Sequence, residues 1–274
     1  MVMQLSFSIA GYIVLISFES TDWPEKRNLL IKMIEKYFRR FIVPVTKQCD
    51  AEIIIKEILG IPFIKNGEKL YSRCFEKRRK NIYETYYHIS IIELSQLFLI
   101  VLIDLLGNNG FLLHASGIIA DDGVILFMGE SGSGKSSVVK MLSDDYAPFS
   151  DDCVVIKQIH KKFVCYQTPW IEKENSVIKN NINYKNITHI YTIKKNGLFA
   201  IKPLQKNRLL FELTKNAWVF DTISKYTVFC AGKLVKQGEI GSEITLTLND
   251  RQKLYEEILK KSLEKEDLGA GKGN

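Results

Sequence analysis

The run Gly129-Glu130-Ser131-Gly132-Ser133-Gly134-Lys135-Ser136 constrains the fold of this chain more than any other feature, because it fulfils G-x-x-x-x-G-K-[ST] at every position. Such a run works between a strand and a helix. Val124-Ile125-Leu126-Phe127-Met128 before it is a continuous apolar stretch suited to a buried strand. Ser137-Val138-Val139-Lys140-Met141-Leu142 after it spaces its apolar residues as a helix does. Glycines let successive backbone N–H groups turn toward one centre, and the helix start adds free N–H groups and partial positive charge. Gly129 to Ser137 is therefore expected to hold a phosphate chain, with Lys135 reaching the β- and γ-phosphates and the Ser136 hydroxyl on Mg²⁺. The alternative, a chance glycine-rich turn, is opposed by the correct flanks. The implied ligand is a nucleoside triphosphate.

The flanking pattern predicts an α/β fold with a mixed sheet. Phe111 to Ala120 is expected to pair with Gly123 to Met128 across Asp121-Asp122-Gly123, whose Asp-Gly step favours a tight turn. The strand before the loop thus has an antiparallel predecessor, which differs from the usual βαβ approach. Downstream, strands are expected at Cys153 to Gln158, Phe163 to Gln167, Ile187 to Lys194 and Ile244 to Leu248. Helices are expected over Gln205 to Val219 and Asp250 to Glu264.

Upstream, residues 1–108 read as a smaller α+β region suited to recognising a substrate or partner. It holds a strand at Ile13 to Phe18, a helix from Pro24 to Arg40 and a strand from Ala51 to Ile58. A tyrosine-rich hairpin from Glu68 to Arg73 and Ile82 to Ile91 follows, then a buried helix from Ile92 to Leu106 stopped by Gly107-Asn108-Asn109-Gly110. Residues 109–266 form the expected nucleotide-binding domain, and 267–274 a flexible tail.

Asp151 and Asp152 follow Lys135 closely and open the next strand. Carboxyl ends and adjoining loops of neighbouring strands share one crevice in open α/β sheets, so the pair is expected beside the triphosphate. Adjacent residues on an extended chain point in opposite directions. One carboxylate can then face the metal and the other an incoming nucleophile, the two roles that phosphoryl transfer requires. The plain alternative is a turn with two solvated acids. His114, in Leu112-Leu113-His114-Ala115-Ser116, reads by itself as a satisfied core histidine.

Composition excludes several function classes. With 46% hydrophobic and 25% charged residues in 274, the chain can bury a sizeable core. The net charge of +7 is spread along the sequence apart from Arg73 and Lys77-Arg78-Arg79-Lys80. That knot lacks an aromatic-interleaved nucleic-acid motif, so it reads as a solvated hairpin or loop and not as a nucleic-acid site. The five cysteines are scattered and show no C-x-x-C spacing, which argues against a disulfide framework and a zinc site. The strongest apolar stretch, Leu97 to Ile103, is far shorter than the roughly 20 residues a membrane helix needs. No signal peptide is evident. A soluble, cytoplasmic protein is expected, with no nucleic-acid or membrane partner and with room for a homo-oligomer.

Taken together, His114, the loop from Gly129 to Ser136 and the pair Asp151-Asp152 resemble the catalytic domain of the HPr kinase family, in order and in spacing. That family has a histidine-bearing strand, a short hairpin, the phosphate loop, a short helix and then an Asp-Asp pair. The likeness is tight over residues 111–156 and looser to about 220. It is nearest to stand-alone relatives with His-Ala-Ser before the loop and Thr-Pro-Trp after it, here Thr168-Pro169-Trp170.

The resemblance implies the fold shared with phosphoenolpyruvate carboxykinases and an ATP- and Mg²⁺-dependent kinase. Asp151 would be the base toward an acceptor hydroxyl, Asp152 would serve the metal with Ser136, and His114 and Lys135 would line the γ-phosphate. Glu172 is a further metal-ligand candidate and Arg208 a candidate for the transferring phosphoryl group; a surface glutamate and a helix start explain them equally well. No Glu-x-Arg-Gly-x-Gly run follows the aspartates, so the implied acceptor stays a hydroxyl of a peptide, protein or small metabolite. Some stand-alone relatives are associated with peptide natural-product maturation, including phosphorylation of a serine. A nucleotide-dependent switch or assembly ATPase, and a catalytically silent nucleotide-binding partner, are the competing readings.

Overall fold

The computed structural model describes residues 3–46, 48–57, 63–66, 69–72, 75–120, 123–170, 184–195, 197–219, 225–238 and 240–270. Glu68, Arg73, Glu172 and the Asp121-Asp122 turn expected from the sequence lie outside them. The chain divides into two compact units, Met1–Leu106 with Pro169–Ile171, and Gly107–Thr168 with Glu172–Asn274.

The first unit contains β1 (Met3–Ile9), β2 (Tyr12–Phe18), α1 (Pro24–Phe38), β3 (Ile42–Val43), β4 (Ala51–Lys56), β5 (Phe63–Asn66), β6 (Lys69–Ser72), β7 (Phe75–Arg79), β8 (Ile82–Tyr86) and α2 (Ile91–Leu106). Its main sheet has the order β3-β1-β2-β4-β8-β7. β4 buries Ala51, Ile53 and Ile55 on alternate positions, as a half-buried strand does. α2 is apolar nearly all round because Leu94, Leu97, Phe98, Val101 and Leu102 are fully enclosed. The Phe98 ring meets Phe7 and Phe38 with centroids 5.1 and 5.2 Å apart.

One expectation for this unit is corrected. Among the described residues, β8 does not pair with β6: it runs antiparallel to β7 and parallel to β4, while β6 pairs with β5. The described part of the basic knot is the exposed hairpin that was expected: Glu76 to Arg79 face solvent on β7, which turns into β8. Lys77 Nζ lies 2.6 Å from Asp104, and Arg78 lies 2.5 Å from Glu84 and 3.5 Å from Glu76.

The second unit contains β9 (Gly110–Ala120), β10 (Gly123–Met128), α3 (Lys135–Leu142), β11 (Pro148–Ser150), β12 (Cys153–Ile159), β13 (Lys162–Gln167), β14 (Lys185–Lys194), β15 (Ala200–Pro203), α4 (Lys206–Lys215), α5 (Lys225–Lys236), β16 (Gly241–Thr245) and α6 (Arg251–Ala270). The sheet order is β10-β9-β12-β13-β14-β16-β15, and a further β10–β14 pairing closes five of these strands into a circuit. β14 is parallel to its neighbours β10 and β16; β9 is antiparallel to β10 and to β12.

β10 is buried on both faces, which explains its unbroken apolar run. Val124, Leu126 and Met128 enter one core with Leu209 and Leu213 of α4 and Leu234 of α5. Ile125 and Phe127 enter the other with Val138, Val139 and Leu142 of α3 and Leu254 and Ile258 of α6. Helices thus cover both faces of the sheet around the glycine loop, giving an α/β fold of mixed sheets. Among the described residues, no helix is long and apolar enough to cross a membrane.

Candidate active site

The loop leaves β10 at Met128 and enters α3 at Lys135, with Gly129, Gly132 and Gly134 at φ +151°, +72° and +103°. These left-handed conformations are what a side chain disfavours and a phosphate cradle requires. Gly134 is the residue before α3 and no side chain caps that helix, nor is there an acidic residue in its first turn. The opening N–H groups of α3 are therefore not neutralised from within the helix. Ser133 is 9% exposed, and its buried Oγ has no hydrogen-bond partner among the described residues. An enclosed hydroxyl without a partner is costly, and a phosphate oxygen would supply one.

Lys135 is 6% exposed and donates from Nζ to the carbonyl oxygens of Gly129 at 3.0 Å and Glu130 at 3.2 Å. Its own loop thus occupies the ammonium. Burial pushes the Lys135 pKa down, and the carboxylates of Asp152 and then Asp151 push it back up. A partly desolvated cation of this kind gains from an arriving anion.

Opposite the loop, β9 and the bend before β12 bring His114 to Asp152, with Nδ1 3.2 Å from Oδ1. Backbone bonds set this pair: Ala115 N–H donates to the Asp152 carbonyl at 3.1 Å, and the Ser116 hydroxyl donates to the Asp151 carbonyl. From the other side, His114 N–H donates to the Asn216 carbonyl at 2.8 Å, just past α4. Burial lowers the His114 pKa most; Lys135 lowers it further, while Asp152 raises it. The neutral imidazole is therefore favoured near pH 7, adding no charge of its own.

A cleft of about 630 Å³ joins these parts. His114, Ser131 to Val138 and Asp152 line it, together with Lys195, Leu246 and Thr247. Asp151 is not among the lining residues, although its charge reaches Lys135. The acids arrive there by a different route from the one expected. β12 is not the neighbour of β10; β9 lies between, pairing through Ala115–Ala120 with β10 and through Gly110–His114 with β12. The amino end of β12 thereby meets the carboxyl end of β10.

Glu130, exposed at the loop's edge, pairs with Lys215 at 2.7 Å. Arg208 is not brought to the cleft: it pairs with the nearly buried Glu212 on α4 at 2.5 Å. Thr168 donates to the Cys153 carbonyl at 2.9 Å, steadying the start of β12. Lys195, Leu246 and Thr247 were not expected from the sequence. Their signal would have been the parallel placement of β14 and β16 beside β10, whose carboxyl ends share one crevice.

The donor set suits a small hard cation. Ser136 and Asp152 offer oxygen ligands within the cleft. No cluster of three or more His, Cys, Asp or Glu exists among the described residues, so such an ion would draw its remaining ligands from phosphate and water, as Mg²⁺ commonly does.

Among the three loop glycines, Gly129 is the one that a side chain would crowd. A Cβ there would lie 2.8 Å from Ser133 Oγ and 3.1 Å from the Ile193 carbonyl oxygen. Gly129→Ala is expected to strain the loop by about 1–3 kcal/mol and lower the Tm by on the order of 5 °C. Calorimetric melting checks this, and an unchanged Tm would show that the loop does not need this geometry.

No protein-family profile matches the chain, and no curated protein matches it. Among solved structures it is similar to the HPr(Ser) kinase/phosphatase from Coxiella burnetii, at 12% identity and a TM-score of 0.31, over 57% of this chain and 98% of that one. This is a distant likeness, and the reading of the site rests on its own geometry.

Proposed function

We propose that the chain is an ATP-dependent kinase that transfers the γ-phosphoryl group to a serine-type hydroxyl of a peptide, protein or small metabolite. One observation carries the reading: a single cleft has the glycine loop and Lys135 as its floor and the His114–Asp152 pair as a wall. Loop N–H groups, the Ser133 hydroxyl and Lys135 bind the phosphates and spread their charge. Ser136 and Asp152 hold Mg²⁺, which neutralises charge on the phosphate oxygens when bound. His114 fixes the orientation of Asp152 through Nδ1. Asp151, outside the nucleotide cleft but within electrostatic reach of it, accepts the proton of a hydroxyl approaching the γ-phosphate from beyond. Peptides with a free serine, including precursors of peptide natural products, are the acceptors to try first.

The test is incubation with ATP labelled at the γ-phosphate. ATP consumption by the protein alone is expected to be slow, and to rise with the true acceptor, which then carries the label and the mass of one phosphate. Rapid ATP hydrolysis that no cell-extract fraction alters, with no labelled product, assigns the chain to the switch or assembly ATPases. Binding without either activity assigns it to the silent nucleotide-binding partners.

A further inference from the structure

We infer that the nucleoside end of the bound triphosphate lies over β14 and β16, with Lys195 as the cation for its α- and β-phosphates. The inference rests on the kinase reading and adds a direction and a residue to it. Across the cleft the strands run β12, β9, β10, β14, β16, so the loop on β10 sits between two walls. One wall carries Asp152 and His114; the other carries Lys195, Leu246 and Thr247. Transfer takes place at the γ-phosphorus, which must therefore face the carboxylate wall. The α-phosphate and the sugar are left to the opposite one.

Register gives Lys195 the height this needs. Met128, the last residue of β10, pairs with Thr192 of the parallel β14. Lys195 lies three residues further on, about 10 Å along an extended chain, level with the loop instead of its base. Its ammonium makes no hydrogen bond or ion pair with other described residues. The other groups of this wall are already engaged or apolar. Thr247 donates from N and from Oγ1 to Asp250 at 2.8 and 2.9 Å, and Leu246 is 8% exposed. Neighbouring Lys194 pairs with Glu243 at 2.8 Å and does not line the cleft. Lys195 is thus the cation on this side that is open to a phosphate.

A lysine that binds the α- and β-phosphates acts on ATP and ADP alike, whereas one at the γ-phosphate acts on ATP alone. Lys195→Ala is expected to weaken Mg–ATP and Mg–ADP by the same factor, about tenfold, the scale of a charged hydrogen bond. Titration calorimetry of the full chain reads both affinities, with Lys195→Arg expected to restore most of the loss and Lys194→Ala to show none. A loss confined to ATP would reverse the direction inferred here, and unchanged affinities for both would remove Lys195 from the site. A loss at Lys194→Ala equal to that at Lys195→Ala would reduce the effect to surface charge and overturn the assignment. If the unsubstituted chain binds neither nucleotide, the phosphate-site reading itself falls, and this inference with it.

Discussion

Lys135→Ala is expected to weaken Mg–ATP binding by at least about 100-fold while leaving the fold in place. Lys135 is 6% exposed as a residue, so a contact of its ammonium with phosphate would be partly shielded from water and strong. Removing one member of an enclosed ionic contact costs about 3–5 kcal/mol, and roughly 2.7 kcal/mol already corresponds to 100-fold in Kd. The folded chain loses only the bonds from Nζ to the carbonyls of Gly129 and Glu130, each worth about 1 kcal/mol net. Both bonds lie within the loop itself and outside the two hydrophobic cores. Lys135→Met, which keeps the apolar stem, separates charge from packing. Titration calorimetry with ATP and Mg²⁺, beside thermal melts followed by circular dichroism, measures both consequences. Affinity that survives either substitution would sink the phosphate-loop assignment.

Asp151→Asn is expected to keep nucleotide binding and lose phosphoryl transfer by at least about 100-fold, the scale of a missing general base. Amide and carboxylate have nearly the same size, so the loss reports proton acceptance and charge. Asp152→Asn is expected to act differently. Asp152 lines the cleft beside Ser136 and faces His114, so its neutralisation should weaken Mg–ATP and raise the Mg²⁺ concentration needed for turnover. Single-turnover transfer at saturating nucleotide, together with calorimetric affinities, separates the two patterns. If Asp152→Asn abolishes transfer with affinity intact while Asp151→Asn is mild, the two roles are exchanged.

Much of the second unit was legible because its signals are local. An apolar pentapeptide, a glycine loop and a helical repeat specify β10, the turn and α3 without help from the rest of the chain. The hairpin of β9 and β10 follows from two apolar runs about an Asp-Gly step. Elements defined by distant partners were less legible. α5 (Lys225–Lys236) went unread, because its apolar face of Cys230, Ala231, Leu234 and Val235 is short and mixed with lysines. β1 was missed although Leu5, Phe7 and Ile9 alternate with Gln4, Ser6 and Ser8. Its turn is Ala10-Gly11, both at positive φ, and lacks the Asn or Asp that usually marks such a hairpin. The pairing of β8 with β7 and β4 could not be read from residues 68–91 alone, since pairing depends on chain far from the strand. At the site, the loop is legible from its motif, whereas His114 by itself reads as a core histidine and enters only through the resemblance. Lys195 and Thr247 depend on which strands lie side by side, and that information is not local.

β9 is a single strand of 11 residues that pairs with β10 along one stretch and with β12 along the next. The separation between the glycine loop and the His114–Asp152 pair is therefore measured off along one continuous strand, like marks on a ruler. The segment from α3 to β11 contributes little to that measure, since Asp151 and Asp152 are fastened to β9 by their own carbonyl groups. A length change at the exposed Asp144 is expected to disturb its pairing with Arg251 while the two halves of the site keep their spacing. A one-residue slip between β9 and β10 has the opposite character: it would move His114 along the cleft and turn alternate side chains to the wrong face. Tolerance to insertion and intolerance to slippage thus sit on either side of the same loop.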